Sequence, residues 1–318
     1  MSRICLASTS LRDEIVACLS TEPSSAAASA RSAVTAAHIL AGAEHPDGLA
    51  DVEFWVPTFL HADPTALADT ITAMPNLQVI QAQSAGIDGF LGAVPAGVTL
   101  CDARGVHGSS TSEWALTAIL SVLRDFPRFH TAQLERRWDY RITDELAGKQ
   151  VLIVGAGDVG QQLARRLLAC DAEPLLVGRS PRAGVRAVAD LPQLLPEADV
   201  VVVVVPLTSQ TAGLVDAAFL ARMRDDALFV NAARGPVVDT TALLAELQSG
   251  RLRAAMDVMT PEPLPSDHPL WSAPNVLITP HVGGSVRGFR RRIGKLVAAQ
   301  LLRYFNEQPL ENVVVGEY

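Results

Sequence analysis

The sequence carries no surplus of basic charge. Lys and Arg number 26 against 34 Asp and Glu in 318 residues, a formal net charge of −8. That balance excludes a nucleic-acid binder that works through bulk positive charge, though it leaves room for one local basic pocket. Cysteine is sparse. Cys5, Cys18, Cys101 and Cys170 are scattered, and no two stand at CxxC spacing. Zinc-knuckle and thioredoxin-like readings therefore fail, and no metal site is expected. Thiols without a disulfide framework fit a reducing compartment, so a cytoplasmic location is expected. Long apolar runs are missing as well. The strongest is Val200 to Val205, far short of the ~20 residues of a membrane span. The Ala-rich stretch Ala26–Ala43 carries Arg31 and His38 and is broken by Gly42, so it reads as helix or loop. Asp13 and Glu14 interrupt any apolar leader, and no membrane association is expected.

What is present is a globular composition, with 49% hydrophobic and 19% charged residues. The length suits two domains. From Val151 onward, strand-like and helix-like segments alternate. Val151–Val154, Leu175–Val177, Val200–Val205, Leu228–Val230, Ala254–Val258 and Asn275–Thr279 read as strands. The valine run is apolar on both faces, as a parallel sheet covered by helices requires. Gln161–Ala169 reads as a helix, and so does Thr241–Ser249, closed by Gly250. This rhythm predicts a doubly wound α/β sheet. Upstream, Ser110 and Glu113 have capping-box spacing at the head of a long helix. That helix is a plausible dimer element, and a homodimer is the expected assembly. In the first hundred residues Asp51–Val56 and Leu77–Gln81 read as strands flanking a helix at Thr65–Ala73. A basic amphipathic helix runs from about Arg287 to Asn306.

Gly155-Ala156-Gly157-Asp158-Val159-Gly160 spells GxGxxG between a strand and a helix. That context makes a weak motif specific for a dinucleotide. Gly155 permits a tight turn, Gly157 lets backbone approach a pyrophosphate, and Gly160 lets helix and strand pack closely. The helix N-terminus offers N–H groups to the phosphates. An acid about 20 residues on would bind a ribose 2′-hydroxyl and favour NAD. The next strand instead ends Val177-Gly178-Arg179-Ser180-Pro181-Arg182. Arg179, Ser180 and Arg182 suit a 2′-phosphate, so NADP is the preferred cofactor, with NAD possible. The plain alternative is a solvated loop.

Three further patches follow strands: Asn231-Ala232-Ala233-Arg234-Gly235, Asp257-Val258-Met259-Thr260-Pro261-Glu262-Pro263, and Thr279-Pro280-His281-Val282-Gly283-Gly284. In an open α/β sheet, ligands bind beyond the carboxyl ends of the strands. An arginine, acids and a histidine therefore belong to one crevice. A lone histidine is more often structural, but Pro280 and two glycines set His281 at a strand end. Arg234 and Glu262 each have a plain alternative as surface charges. His107 reads as structural, and Trp271 as a packing residue.

Through these patches, with the Ser84-Ala85-Gly86-Ile87-Asp88 turn, Pro206-Leu207-Thr208 and Pro269-Leu270-Trp271, the sequence resembles the D-isomer-specific 2-hydroxyacid dehydrogenase family. The resemblance runs from about Asp51 onward, and the first fifty residues match poorly. Within the family the chain is most similar to the glyoxylate/hydroxypyruvate reductase group, through its length and NADP-like loop. The resemblance implies reduction of a small 2-keto acid to a D-2-hydroxy acid by hydride transfer. Arg234 would hold the carboxylate and polarise the carbonyl. His281 would be general acid, and base in reverse, and Glu262 would orient its ring. Backbone N–H groups of Ala85, Gly86 and Ile87 would take the substrate carboxylate. Asp257 would face the nicotinamide. Asp158, Val159, Gly178, Pro206, Thr211, Ala232 and Gly283 join the cofactor contacts implied. Trp55-Val56-Pro57-Thr58-Phe59-Leu60 falls where the family shapes its pocket. It lacks a cation, which lowers the odds of a phosphorylated substrate and hints at a small or apolar side group. Phosphite or formate dehydrogenation shares the scaffold, and some relatives are dinucleotide-sensing corepressors. The implied architecture is two doubly wound parallel-sheet domains. A Rossmann nucleotide-binding domain, 103–281, is inserted in a flavodoxin-like substrate domain, 1–102 with 282–318.

Overall fold

The computed structural model describes residues 3–40, 49–58 and 64–316. The chain divides into two compact units, Met1–His107 with Arg287–Tyr318, and Gly108–Val286. The crossings each fall five residues beyond those expected at 102/103 and 281/282. Ala103 and Val106 are buried in the core of the first unit, while Gly108 already opens a helix of the second.

The first unit begins with β1 (Ile4–Leu6), α1 (Thr9–Leu19), α2 (Ser25–Thr35), β2 (His38–Ile39), β3 (Phe54–Val56), α3 (Pro64–Thr72), β4 (Val79–Gln81) and β5 (Thr99–Cys101). The second holds α4 (Gly108–Leu123), α5 (Phe126–Leu134), β6 (Gln150–Val154), α6 (Asp158–Leu168), β7 (Glu173–Gly178), β8 (Val185–Ala187), α7 (Leu191–Leu194), β9 (Val200–Val203), α8 (Ala217–Arg222), β10 (Leu228–Asn231), α9 (Thr240–Gln248), β11 (Arg253–Met256) and β12 (Val276–Ile278). The chain then returns as α10 (Phe289–Phe305). Among the described residues no helix is long and apolar enough to cross a membrane.

The second unit is one seven-stranded parallel sheet, ordered β12-β11-β10-β9-β6-β7-β8. Its order reverses between β6 and β9, the switch point of a Rossmann sheet. The valines show why it forms. Val201 and Val203 enter one core cluster, and Val200 and Val202 the opposite one. Period-two alternation thus feeds two cores, each covered by helices. β9 stops at Val203 rather than at Val205. Its neighbour β6 ends at Val154, and Val204 N–H still donates to the Val154 carbonyl at 2.9 Å. Gly155 then turns the chain away, so Val205 has no ladder to join.

The capping box expected at Ser110 and Glu113 does not form, because α4 starts at Gly108 and Ser110 lies inside it, buried. A Cβ on Gly108 would collide with the Asp158 carboxylate, so the first turn of α4 sits directly against α6.

The first unit is a five-stranded parallel sheet ordered β2-β1-β3-β4-β5, the flavodoxin-like order. Trp55 and Val56, read as pocket-shaping, are buried β3 core residues. Phe59 and Leu60 lie outside the described residues. The Ala-rich stretch becomes α2 and β2 up to Ile39, and its Ala41–Ala43 end also lies outside them. α10 buries Ile293, Val297 and Leu301 in the same core. Its Gln300 amide donates to Gln81 Oε1 and the Glu311 carbonyl, both at 2.8 Å. The tail then runs antiparallel along β5: Val314 N–H donates to the Leu100 carbonyl at 2.9 Å, and Cys101 bridges Val313. His107 is structural. Its ring stacks on Phe289 at 5.1 Å, and Nε2 lies 2.8 Å from the Gln83 carbonyl.

Asp102, 1% exposed, follows β5. Burial raises its carboxyl pKa, against the lowering effect of hydrogen bonds from Arg104. The folded chain therefore holds this proton more tightly than the unfolded chain. That stabilisation is complete below the unfolded pKa and is lost as pH rises through the folded one. Asp102→Asn mimics the protonated form. Urea midpoints of the two proteins should lie close at acid pH and diverge in favour of the variant towards neutrality. A pH-independent difference refutes this account.

Candidate active site

The site residues expected in the second unit stand at the carboxyl ends of its parallel strands. Beyond β6 comes the glycine turn. Gly155 has φ +126°, where a side chain is strained, and a Cβ there would lie 2.7 Å from the Val204 carbonyl oxygen. A Cβ on Gly160 would strike the Gly155 carbonyl. Both glycines are demanded by the protein's own packing. Gly157 is different, because a Cβ there meets nothing within 4 Å. It is the N-cap of α6 and supplies no side-chain cap to the first-turn N–H groups. Open space and uncapped N–H groups at a helix start fit a pyrophosphate. The Asp158 carboxylate turns aside, with Oδ1 accepting from Gln162 at 2.8 Å. Val159 is half-buried in the first turn of α6.

β7 ends beside this turn, where Gly155 N–H donates to the Val177 carbonyl at 2.9 Å. A Cβ on Gly178 would lie 3.1 Å from Val185 and 3.3 Å from the Arg182 guanidinium. Arg182 is exposed, yet its guanidinium donates to the Ala156 carbonyl at 2.9 Å and braces the turn. Arg179 and Ser180 are exposed beyond it. After β9, the Thr211 hydroxyl donates to the Pro206 carbonyl at 2.6 Å and accepts from Thr208 N–H at 2.8 Å. Thr211 thus shapes that loop with its own hydroxyl.

After β10 the chain is pinned by Asn231, which is fully buried. Its amide donates to the Val258 carbonyl at 3.2 Å and the Arg234 carbonyl at 3.3 Å, and its oxygen accepts from Ala233 N–H at 3.0 Å. Ala232 N–H donates to the Val203 carbonyl at 3.1 Å. Half-buried Arg234 donates through Nη1 to the Ala233 carbonyl at 2.8 Å. Asn231 stands in the strand-end patch with no role evident from its sequence position alone. Its signal was an amide ending an apolar strand, where an unpaired polar group would be costly.

His281 and Glu262 meet, with Nδ1 2.5 Å from Oε1. The histidine side chain is 23% exposed, so the pair is reachable yet sheltered. His281 has φ +52°, the left-handed region, a conformation that costs energy in a non-glycine residue. Asp257 is 3% exposed, and its carboxylate accepts from the Thr279 hydroxyl at 2.6 Å, Val282 N–H at 2.9 Å and Gly283 N–H at 2.8 Å. Both oxygens are thus engaged by the histidine loop. Trp271 is exposed and its indole donates to the Pro265 carbonyl at 2.8 Å, tying it to its own loop. Ala85, Gly86 and Ile87 belong to the other unit, in the turn that follows β4, where the Ser84 hydroxyl donates to the Gly86 carbonyl at 2.5 Å. Among the described residues no cluster of His, Cys, Asp and Glu could hold a metal ion.

The glycines separate packing from ligand roles. Gly160→Ala should cost about 1–3 kcal/mol of stability through overpacking. Gly157→Ala should leave the thermal midpoint unchanged while weakening NADPH binding, read by cofactor fluorescence. Equal stability losses in the two variants would overturn this division.

A family model described as "D-isomer specific 2-hydroxyacid dehydrogenase, NAD binding domain" matches residues 116–283. A glyoxylate reductase of Thermofilum pendens is 35% identical over 250 residues, covering 74% of this chain and 74% of that protein. A D-3-phosphoglycerate dehydrogenase of Archaeoglobus fulgidus is 32% identical over 258 residues. That match covers 78% of this chain and 49% of the relative, so the chain spans about half its length. Among solved structures, an NADPH-dependent glyoxylate/hydroxypyruvate reductase of Sinorhizobium meliloti, in complex with NADP and sulfate, superposes with a TM-score of 0.80 at 28% identity. The superposition covers 100% of both chains. On these matches the chain belongs to the D-isomer-specific 2-hydroxyacid dehydrogenases, a family of oxidoreductases.

Proposed function

We propose that the protein reduces a small 2-keto acid of the glyoxylate or hydroxypyruvate type to the D-2-hydroxy acid, with NADPH preferred to NADH. The observation that carries this reading is the 2.5 Å His281–Glu262 contact, set at the same sheet edge as the glycine turn. The open space at Gly157 and the uncapped start of α6 fit a dinucleotide, which when bound supplies the hydride. The protein's own groups then have defined tasks. Arg234 presents a planar cation to the carboxylate and carbonyl of the substrate. His281 gives a proton to the developing alkoxide, and takes it back in oxidation. Glu262 accepts from Nδ1–H, which leaves Nε2 as the working nitrogen and stabilises the charged ring. The Ala85–Ile87 turn receives the substrate carboxylate. Arg179 and Ser180 receive the 2′-phosphate, and Arg182 supports the turn from beneath. The printed activities of the Thermofilum and Sinorhizobium relatives support the substrate class and the cofactor. Glu262 beside His281 favours this chemistry over formate oxidation. A corepressor role or phosphite oxidation would instead appear as cofactor binding without keto-acid turnover. The four cysteines are free, which supports a reducing, cytoplasmic setting.

Reduction of glyoxylate, hydroxypyruvate, pyruvate and phenylpyruvate with NADPH and with NADH, side by side, tests the reading. Turnover should be faster with NADPH on at least one acid. His281→Ala should lose roughly 10²- to 10⁴-fold in kcat. Arg179→Ala should narrow the NADPH preference by roughly 10- to 100-fold, the worth of one charge-assisted hydrogen bond. Absence of keto-acid turnover with cofactor still bound would reject the reductase.

We also propose that the working unit is a homodimer, joined through 126–142 rather than through α4. The apolar residues of α4, Ala115, Ala118, Ile119 and Leu123, are buried in their own core. Trp138, Tyr140 and Ile142 instead stand 94%, 84% and 91% exposed. The residues between them point back: Asp139 pairs with Arg128 at 2.7 Å and Arg137 at 3.0 Å, and Arg141 with Asp125 at 3.0 Å. Five arginines and five acids balance between 124 and 145. A second copy of a −8 chain meets no net like charge over such a patch. Sedimentation should show a wild-type dimer and a Trp138→Glu monomer that keeps the wild-type circular dichroism spectrum and melts at a lower temperature, as loss of the partner requires. A monomeric wild type would overturn the proposal.

A further inference from the structure

The left-handed backbone of His281 is held chiefly by Asp257, with a longer contact from its N–H to the Thr279 carbonyl at 3.1 Å. Its own N–H donates to the Asp257 carbonyl at 2.8 Å. The next N–H groups, of Val282 and Gly283, donate to the two oxygens of the Asp257 carboxylate at 2.9 and 2.8 Å. Three successive N–H groups therefore end on Asp257, which brackets the histidine from both sides. The carboxylate must itself be held still for this to fix a direction. Thr279 does so: its hydroxyl donates to Oδ1 at 2.6 Å. That hydroxyl in turn accepts from the Trp114 indole N–H of α4 at 3.0 Å. A hydroxyl has one proton to give, so the indole above and the carboxylate below leave it one orientation. The relay crosses from α4 through the loop to β11, elements whose buried residues share the cores of one sheet.

We propose that Thr279, locked between Trp114 and Asp257, is a positioning residue for His281. It sets the backbone angle from which the imidazole reaches both Glu262 and the substrate oxygen. This rests on the reading of His281 as the acid–base residue. The relay makes the chemistry dependent on a helix that contributes no group to the reaction itself. It also gives Asp257 a task directed at the histidine loop, within reach of its carboxylate.

Thr279→Val keeps the shape and removes both hydrogen bonds. Its kcat for the keto acid should fall roughly 10- to 100-fold, the scale of a misplacement of about 1 Å. The dissociation constant for NADPH should stay at the wild-type value, and the thermal midpoint should fall by no more than a few degrees, as the loss of two hydrogen bonds requires. The solvent deuterium isotope effect on kcat should rise, because proton delivery is what deteriorates. Thr279→Ser should restore kcat, and Trp114→Phe, which keeps the ring and loses the donor, should show a smaller loss of the same kind. A second readout needs no turnover. In ¹⁵N-histidine-labelled protein, the His281 Nδ1 resonance should move in Thr279→Val and return in Thr279→Ser. Unchanged kcat and resonance in Thr279→Val would overturn the proposal, and so would a loss of cofactor affinity in step with kcat. A wild type inactive on every keto acid would reject the reductase reading alone. The resonance shift then still decides the positioning role.

Discussion

Seven strands running one way, with both faces of their sheet buried, impose the constraint on which the catalytic unit depends. A parallel sheet must return each strand through a helix, so both faces are covered and the strands must be apolar throughout. Val200 to Val203 meet that demand by sending alternate side chains into opposite cores. Polar chemistry is thereby expelled to the strand ends. The glycine turn, Arg234, Asp257 and His281 all follow strands that the core has made incapable of carrying charge.

At that edge, buried polar groups hold the loops that carry function. Asn231 pins the segment of Arg234, and Asp257 pins the segment of His281. Each is almost fully buried and fully engaged, which offsets the cost of removing a polar group from water. The groups proposed to react, by contrast, are reachable: the His281 and Glu262 side chains are 23% and 38% exposed. Rigid buried anchors beneath accessible reactive groups are what preorganised catalysis requires.

Much of this was legible because the second unit is written in strong local signals. Six consecutive valines, a GxGxxG between strand and helix, and charged residues flanked by proline or glycine each have few physical explanations. The first unit was harder to read. Its strands span two or three residues each, too short for a period-two pattern to declare itself. β1 and β5 went unseen for that reason, and Trp55 read as a pocket residue when it belongs to the core. The head of α4 was misread at Ser110 because the close approach of α6 to Gly108 is a tertiary contact with no local signature. Arg182 illustrates a further limit. Its charge suited a phosphate, but only the fold shows its guanidinium returning to the Ala156 carbonyl. The roles of Thr279 and Trp114 were hidden likewise, since 165 residues separate the two partners.

The antiparallel contact between the tail and β5 bears on how the protein avoids its neighbours. An edge strand exposes a row of unpaired N–H and C=O groups that any other extended chain can join. Here Asn312 to Val314 occupy that row themselves, with Asp102 N–H on the Asn312 carbonyl at 3.0 Å and Val314 N–H on Leu100 at 2.9 Å. Buried Gln300 secures the approach from the core, donating to the Glu311 carbonyl and accepting from its N–H. The tail thus acts as a selvedge for the β5 edge, guarding that side of the sheet against fraying and against the growth of intermolecular β-structure.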